Sequence, residues 1–225
     1  MIAYDPKSWI RITFSYAGTV LPALQVRLLT LALLSLCAWL AKEYVPGAGE
    51  LFKHCKPLGH TIIGVALGLL IVFRNNCSYD RYWEGRKLWG GIVNTSRNLV
   101  RGATAYVGES RELANLVAAY ALALKQHLRG NKDLTEIKEL VSPVVFEQLA
   151  TVVNPPSALA LQMSGWLRQA QREQKIDTVT TQSLEAMVRS LIDNQGGCER
   201  ILRTPIPFAY AVHIKQLLML YLLSL

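Results

Sequence analysis

Charged residues are missing from Pro57 to Phe73, a run of 17 residues. That absence excludes an exposed loop or a surface helix there, because about 17 to 25 consecutive apolar residues suffice to cross a hydrocarbon core. Charge is scarce throughout: Asp, Glu, Lys and Arg make up 18% of the 225 residues against a usual quarter, while 51% are hydrophobic and the mean hydropathy is +0.22. An ordinary soluble domain does not have this balance. Cysteine is thin as well. Cys37, Cys55, Cys77 and Cys198 stand far apart, with no CxxC pair and no histidine at ligand spacing, so neither a structural zinc nor a disulfide framework is expected and the thiols read as reduced. The opening MIAYDPKSWIRITF lacks the basic, apolar and small-residue order of a cleaved secretory signal, so the mature chain is expected to start near Met1. No GxSxG, HExxH, GxGxxG or Walker loop occurs. His54, His60, His127 and His213 are isolated from one another, and no acid, base and nucleophile converge, so catalysis and cofactor chemistry are not expected. His60, at the mouth of the uncharged run, reads as structural rather than titrating.

What is present is a basic balance, +8 with a pI near 9.4. The basic residues are dispersed among acidic ones and no stacking platform accompanies them, so a nucleic-acid partner is not expected. They gather where a positive-inside orientation in a bilayer would put them.

The chain reads as one all-α integral membrane protein, with transmembrane helices and a helical cytosolic part. Residues 1–19, with Trp9, Ile10, Ile12, Phe14 and Tyr16 mixed with Lys7 and Arg11, suit an interfacial lead-in. Residues 20–41 are interrupted only by Gln25 and Arg27 and form a first membrane helix, with Arg27 near one end to snorkel. Residues 42–56, with Pro46, Gly47 and Gly49, form a connector. Residues 57–73 form the second membrane helix. Residues 74–203 carry 17 Lys or Arg against 13 Asp or Glu and show helical periodicity over Leu113–Leu128 and Leu184–Leu191, with Asn154, Pro155 and Pro156 parting one helix from the next. The stretch LTEIKEL, 134–140, reads as a solvated surface. Arg74, Arg81, Arg86 and Lys87 directly follow the second span, which places the N-terminus and the large helical part in the cytoplasm of a multi-pass protein of the cell membrane. Residues 204–225 return to apolar character as a third span. The chain stops inside that span with no polar tail, and the sequence is therefore expected to be a fragment.

In the second span Val65, Leu69 and Phe73 recur every four residues on one helical face, while Gly64 and Gly68 line the neighbouring face. Small residues at that spacing let membrane helices approach closely. Copies packed through the glycines would stack the three apolar side chains in rings, which can gate a pore by dewetting. Any lipid-facing helix also shows an apolar face, and periodicity alone leaves both readings open.

The stretches FRNNCSYDRYWEGRKLWG, Phe73 to Gly90, and GGCERILRTPIPFAY, Gly196 to Tyr210, together with the Trp9 lead-in, Arg27 and LKQHLRG, Leu124 to Gly130, resemble the bacterial branch of the bestrophin family over the whole chain. The resemblance implies a homopentameric ion channel around one axial pore. Family members have four membrane helices and continue for roughly sixty or more residues past this terminus. The family's neck positions fall on Val65, Leu69 and Phe73, and its cytosolic aperture on Val179, within QKIDTVTTQSL. Isoleucine or phenylalanine is common at these positions, so Val65 and Val179 imply a wider opening. Asp80, Arg81, Glu84 and Arg86 are spaced for ion pairs in the scaffold, with a charged vestibule as the alternative. The resemblance implies passage of small monovalent ions, chloride and other anions first, as in eukaryotic members, with a sodium or potassium channel as the alternative, since bacterial members are associated with monovalent cations. The calcium clasp of eukaryotic members needs an acidic cluster after the last membrane helix, beyond this chain, so no metal site is expected. The expected partners are other copies of the chain, lipid and permeating ions. A membrane-anchored scaffold without transport remains the reading from another class.

Overall fold

A computed structural model describes residues 21–44 and 57–223. The helices are α1 (Leu21–Tyr44), α2 (Pro57–Val107), α3 (Arg111–Leu128), α4 (Pro143–Thr151), α5 (Pro155–Arg172), α6 (Thr178–Arg203) and α7 (Phe208–Leu223), with a 3-10 turn at Thr135–Ile137. No strand occurs among the described residues. The interfacial lead-in, most of the connector and Cys55 lie outside them.

The expected second span ended at Phe73 with an aqueous helix beginning at Arg74, and one helix of 51 residues, α2, runs through that junction. An α-helix satisfies its own backbone hydrogen bonds in lipid and in water alike. A change of solvent therefore alters side-chain composition without ending the helix, and no proline stands between Leu58 and Val107 to break it. It stops where Gly108 takes the left-handed conformation, φ +86°, and its N–H reaches the Thr104 carbonyl at 3.1 Å. Within the expected third span, 204–225, the helix α7 begins at Phe208, after Pro205 and Pro207 have interrupted the chain that leaves α6. The surface stretch 134–140 holds only the short 3-10 turn, tied to α3 by the Lys125–Glu136 ion pair, and it buries Ile137 beneath.

Two compact units are distinguished, residues 1–66 with 218–225, and residues 67–217. In the first, α1 exposes Val26, Leu29, Leu33, Leu34, Leu36 and Trp39, and a helix apolar all round belongs in lipid or a protein core. Also in this unit, the ring of Tyr221 lies over Gly64, where a Cβ would meet its Cε2 at 3.2 Å, and it stacks on His60 with centroids 4.2 Å apart. Gly64 thus seats a side chain of its own chain. Gly68 has open space around it.

The second unit holds the core. Ile92, Leu99 and Ala103 of α2 are buried with Leu113, Tyr120 and Leu124 of α3, Leu159, Met163 and Leu167 of α5, and Leu184, Val188 and Leu191 of α6. Each large apolar side chain so buried contributes about 1.5 to 3 kcal/mol. The helices begin at capped positions: Ser142 accepts from Val145 N–H (3.4 Å), Asn154 from Ser157 N–H (3.2 Å) and Asp177 from Thr180 N–H (2.7 Å). Pro143 and Pro155 follow two of these caps at the first helical position, where a missing N–H costs nothing.

Candidate functional site

The two long motifs, far apart in sequence, are one helix crossing. Arg81 of α2 donates to the carbonyls of Ile201 (2.7 Å) and Thr204 at the end of α6. Glu84 pairs with Arg200 at 2.5 Å. Farther along, a Cβ on Gly197 would lie 2.7 Å from Leu88 Cδ2, one on Gly91 2.8 Å from Asn194 Oδ1, and one on Gly102 3.0 Å from Leu184 Cδ2. Between these contacts Thr95 and Ser190 bring their hydroxyls to 3.5 Å. Each step down α2 is matched by an equal step up α6, so the two helices pack antiparallel in a single register. Arg81 satisfies carbonyls that the helix end leaves unpaired, and its charge suits the negative end of the α6 dipole.

The four charged residues anticipated as an ion-pair motif do not pair with one another. Arg81 and Glu84 reach across to α6, whereas Asp80 and Arg86 are exposed and, among the described residues, make no ion pair. Lys87 lies 5.8 Å above the Trp83 ring.

Val65, Leu69 and Phe73 stand on α2 with 68%, 55% and 48% of their surface exposed. Val179 is the second residue of α6, directly after the Asp177 cap and its first helical residue, and is 73% exposed. None of these four side chains belongs to the buried core of the chain.

A buried polar network lies behind the crossing and was not anticipated. Tyr120 donates to the Leu191 carbonyl (2.8 Å) and to Gln195 Oε1 (3.1 Å). The Gln195 amide in turn donates to Asn154 Oδ1 (3.0 Å), Ser157 Oγ (3.0 Å) and Glu199 Oε1 (2.8 Å). Asn154 Nδ2 reaches the same Glu199 oxygen at 2.9 Å, and His127 Nε2 stands 3.3 Å from it. Burial works against charge on Glu199, but the Gln195 and Asn154 hydrogen bonds, with His127 and Arg203 nearby, outweigh it and hold the carboxyl below its usual range. Burial pushes the Tyr120 hydroxyl and the Cys198 thiol up, with the Glu199 charge adding to both. The signal in the sequence was a tyrosine and a glutamine on otherwise apolar helix faces. Such positions are filled only when their hydrogen bonds can be met. Among the described residues, no group of three or more His, Cys, Asp or Glu is placed to hold a metal ion.

A helical chain with, among the described residues, two helices long and apolar enough to cross a membrane, and with its two signature stretches locked in one crossing, fits a class of membrane protein. The family model of the bacterial and fungal bestrophin proteins matches residues 1–225, and the chain belongs to that family. It is 39% identical over 224 residues to the voltage-dependent anion channel-forming protein alr2987 of Nostoc sp., covering 96% of this chain and 71% of the relative. It is 38% identical over 229 residues to the voltage-dependent anion channel-forming protein sll1024 of Synechocystis sp., covering 96% and 72%. Its fold matches the crystal structure of a bacterial bestrophin homolog from Klebsiella pneumoniae with a TM-score of 0.81 at 25% identity, over 89% of this chain and 76% of that one.

Proposed function

We propose that the protein is a homopentameric channel for small monovalent ions, chloride and other anions foremost, with α2 lining an axial pore. The relatives from Nostoc and Synechocystis are voltage-dependent anion channel-forming proteins by name, and this supports the anion reading. The observation that carries the proposal is the row Val65, Leu69 and Phe73, apolar, exposed and spaced one helical turn apart on an unbroken helix. A row of that kind, repeated around an axis, forms stacked apolar rings that conduct or close by wetting and dewetting. Val179, exposed at the start of α6, forms the second aperture at the cytosolic end. The N-terminus and the unit that follows the second span lie in the cytoplasm, and Asp80, Arg81, Glu84 and Arg86 form a scaffold just below the bilayer. The chain acts through ion passage and not through catalysis.

An apolar neck selects neither sign of charge. A sodium and potassium channel is therefore the second reading, and a membrane-anchored scaffold without transport is the third. Flux from purified protein in liposomes, with chloride and then sodium or potassium gradients imposed, separates all three. The expected outcome is flux whose reversal potential follows the chloride gradient. A reversal that follows sodium or potassium selects the cation channel, and no flux from a verified pentamer, in the wild type and in the neck variant Phe73→Ala alike, selects the scaffold over a closed gate. Phe73→Ala is expected to raise conductance by widening the neck. Unchanged flux in both Leu69→Ala and Phe73→Ala would remove those residues from the pore.

A further inference from the structure

Within the second unit, α2 packs on α6 through the crossing and on α3 through the core, α3 packs along α5, and α5 along α6. The seam between α2 and α3 therefore faces away from the seam between α5 and α6. The α2–α3 seam is open. It forms a cavity of about 570 Å³ lined by Trp89, Val93, Val100, Val117 and Ala121, among others, with Arg97 and Arg101 at its edge. Among the described residues neither arginine has an ion-pair partner, and the Ser96 hydroxyl in the wall is buried with no hydrogen bond. The α5–α6 seam is the converse. Leu161 projects from it with 70% of its surface exposed, Ile192 is exposed beside it, and Glu185 and Asp193 flank Ile192 on α6, with Arg189 between them.

We infer that the α5–α6 ridge of one copy, centred on Leu161 and Ile192, seats in the α2–α3 groove of the next copy. The inference rests on the pentameric reading above and adds the surfaces that build it. A closed ring requires a heterologous interface, two different patches that complement each other on the two sides of one subunit. Rotation about a pore axis also keeps every residue at its own height, so the two patches must lie level. Measured along the antiparallel α2–α6 pair, they do. With Gly91 against Asn194 and Thr95 against Ser190, Val93 of the groove is level with Ile192 of the ridge. With Ser157 bonded to Gln195 and Ser164 to Glu185, Leu161 lies within a turn of Ile192. A turn is about 5.4 Å. The apolar fit carries the contact. The charges set its register, since Gly102 against Leu184 puts Arg101 level with Glu185.

A photo-crosslinking residue in place of Leu161, followed by peptide mapping, tests the pairing in the detergent-purified chain. Crosslinks between copies that map to residues 89–101 or 114–121 are expected. Leu161→Asp should abolish the oligomer while the chain keeps its helical circular dichroism. Four outcomes would overturn the pairing: an intact oligomer with crosslinks mapped elsewhere, crosslinks between two copies of position 161, an intact oligomer that yields none, or an oligomer that survives Leu161→Asp. A wild-type chain that is monomeric would remove the pentameric reading itself, so the two failures are distinguishable by native mass alone.

Discussion

At Gly197 any side chain meets Leu88, with Cδ2 at 2.7 Å and Cδ1 at 2.9 Å from a Cβ placed there. Gly197→Val is therefore expected to cost about 1 to 3 kcal/mol through overpacking. Adding Leu88→Ala should recover part of that loss, and thermal unfolding of the four chains in detergent gives the coupling directly. The same residue scale governs acid stability. Glu199 has a folded-state value below its ordinary one, so its hydrogen bonds stabilise the fold fully above the unfolded carboxylate value, and that contribution is lost as pH falls through the folded value. Glu199→Gln should flatten this acid limb in unfolding experiments run from neutral to acid pH. An unchanged limb would mean that other carboxylates set it.

At the level of elements, Arg81 closes α6 by bonding two carbonyls from one planar guanidinium. Arg81→Ala should lower stability by about 1.5 to 3 kcal/mol, the range for hydrogen bonds to a charged group. Arg81→Lys should recover little of it, because a point charge does not reproduce the fork. This contact shows what was legible in the sequence. Helix identity was: the apolar runs, the periodicity over Leu113–Leu128 and the break at Asn154 correspond to α1, α2, α3 and the cap of α5. The length of α2 was not, because a hydropathy boundary marks a change of medium and carries no signal for a helix end. Pairing was not legible either. Spacing of Asp80, Arg81, Glu84 and Arg86 suggested ion pairs in the scaffold without naming partners, and those of Arg81 and Glu84 stand on α6 more than a hundred residues away. The Tyr120–Gln195–Glu199 network went unseen for the same reason, since its members come from separate elements and no local pattern unites them.

At the scale of the whole molecule, Asp177 bears on which sign of ion the proposed pore prefers. It caps α6 two residues before Val179, and side-chain and backbone hydrogen bonds from Thr180 hold its carboxyl below the usual range, so it is ionised at neutral pH. If Val179 rings the cytosolic aperture, as proposed, Asp177 of each copy lies at the same mouth and opposes anions there. Asp177→Asn tests this without disturbing the helix, because asparagine caps an N-terminus as well as aspartate does. The expected result is a reversal potential shifted toward the chloride equilibrium value. Acidification of the cytosolic side to below the ordinary carboxylate range, where Asp177 takes up its proton, should produce the same shift in the wild type and none in the variant. An unshifted potential in Asp177→Asn would take Asp177 away from the ion path and leave the Val179 assignment to its own substitution, since side chains two residues apart point to nearly opposite sides of a helix.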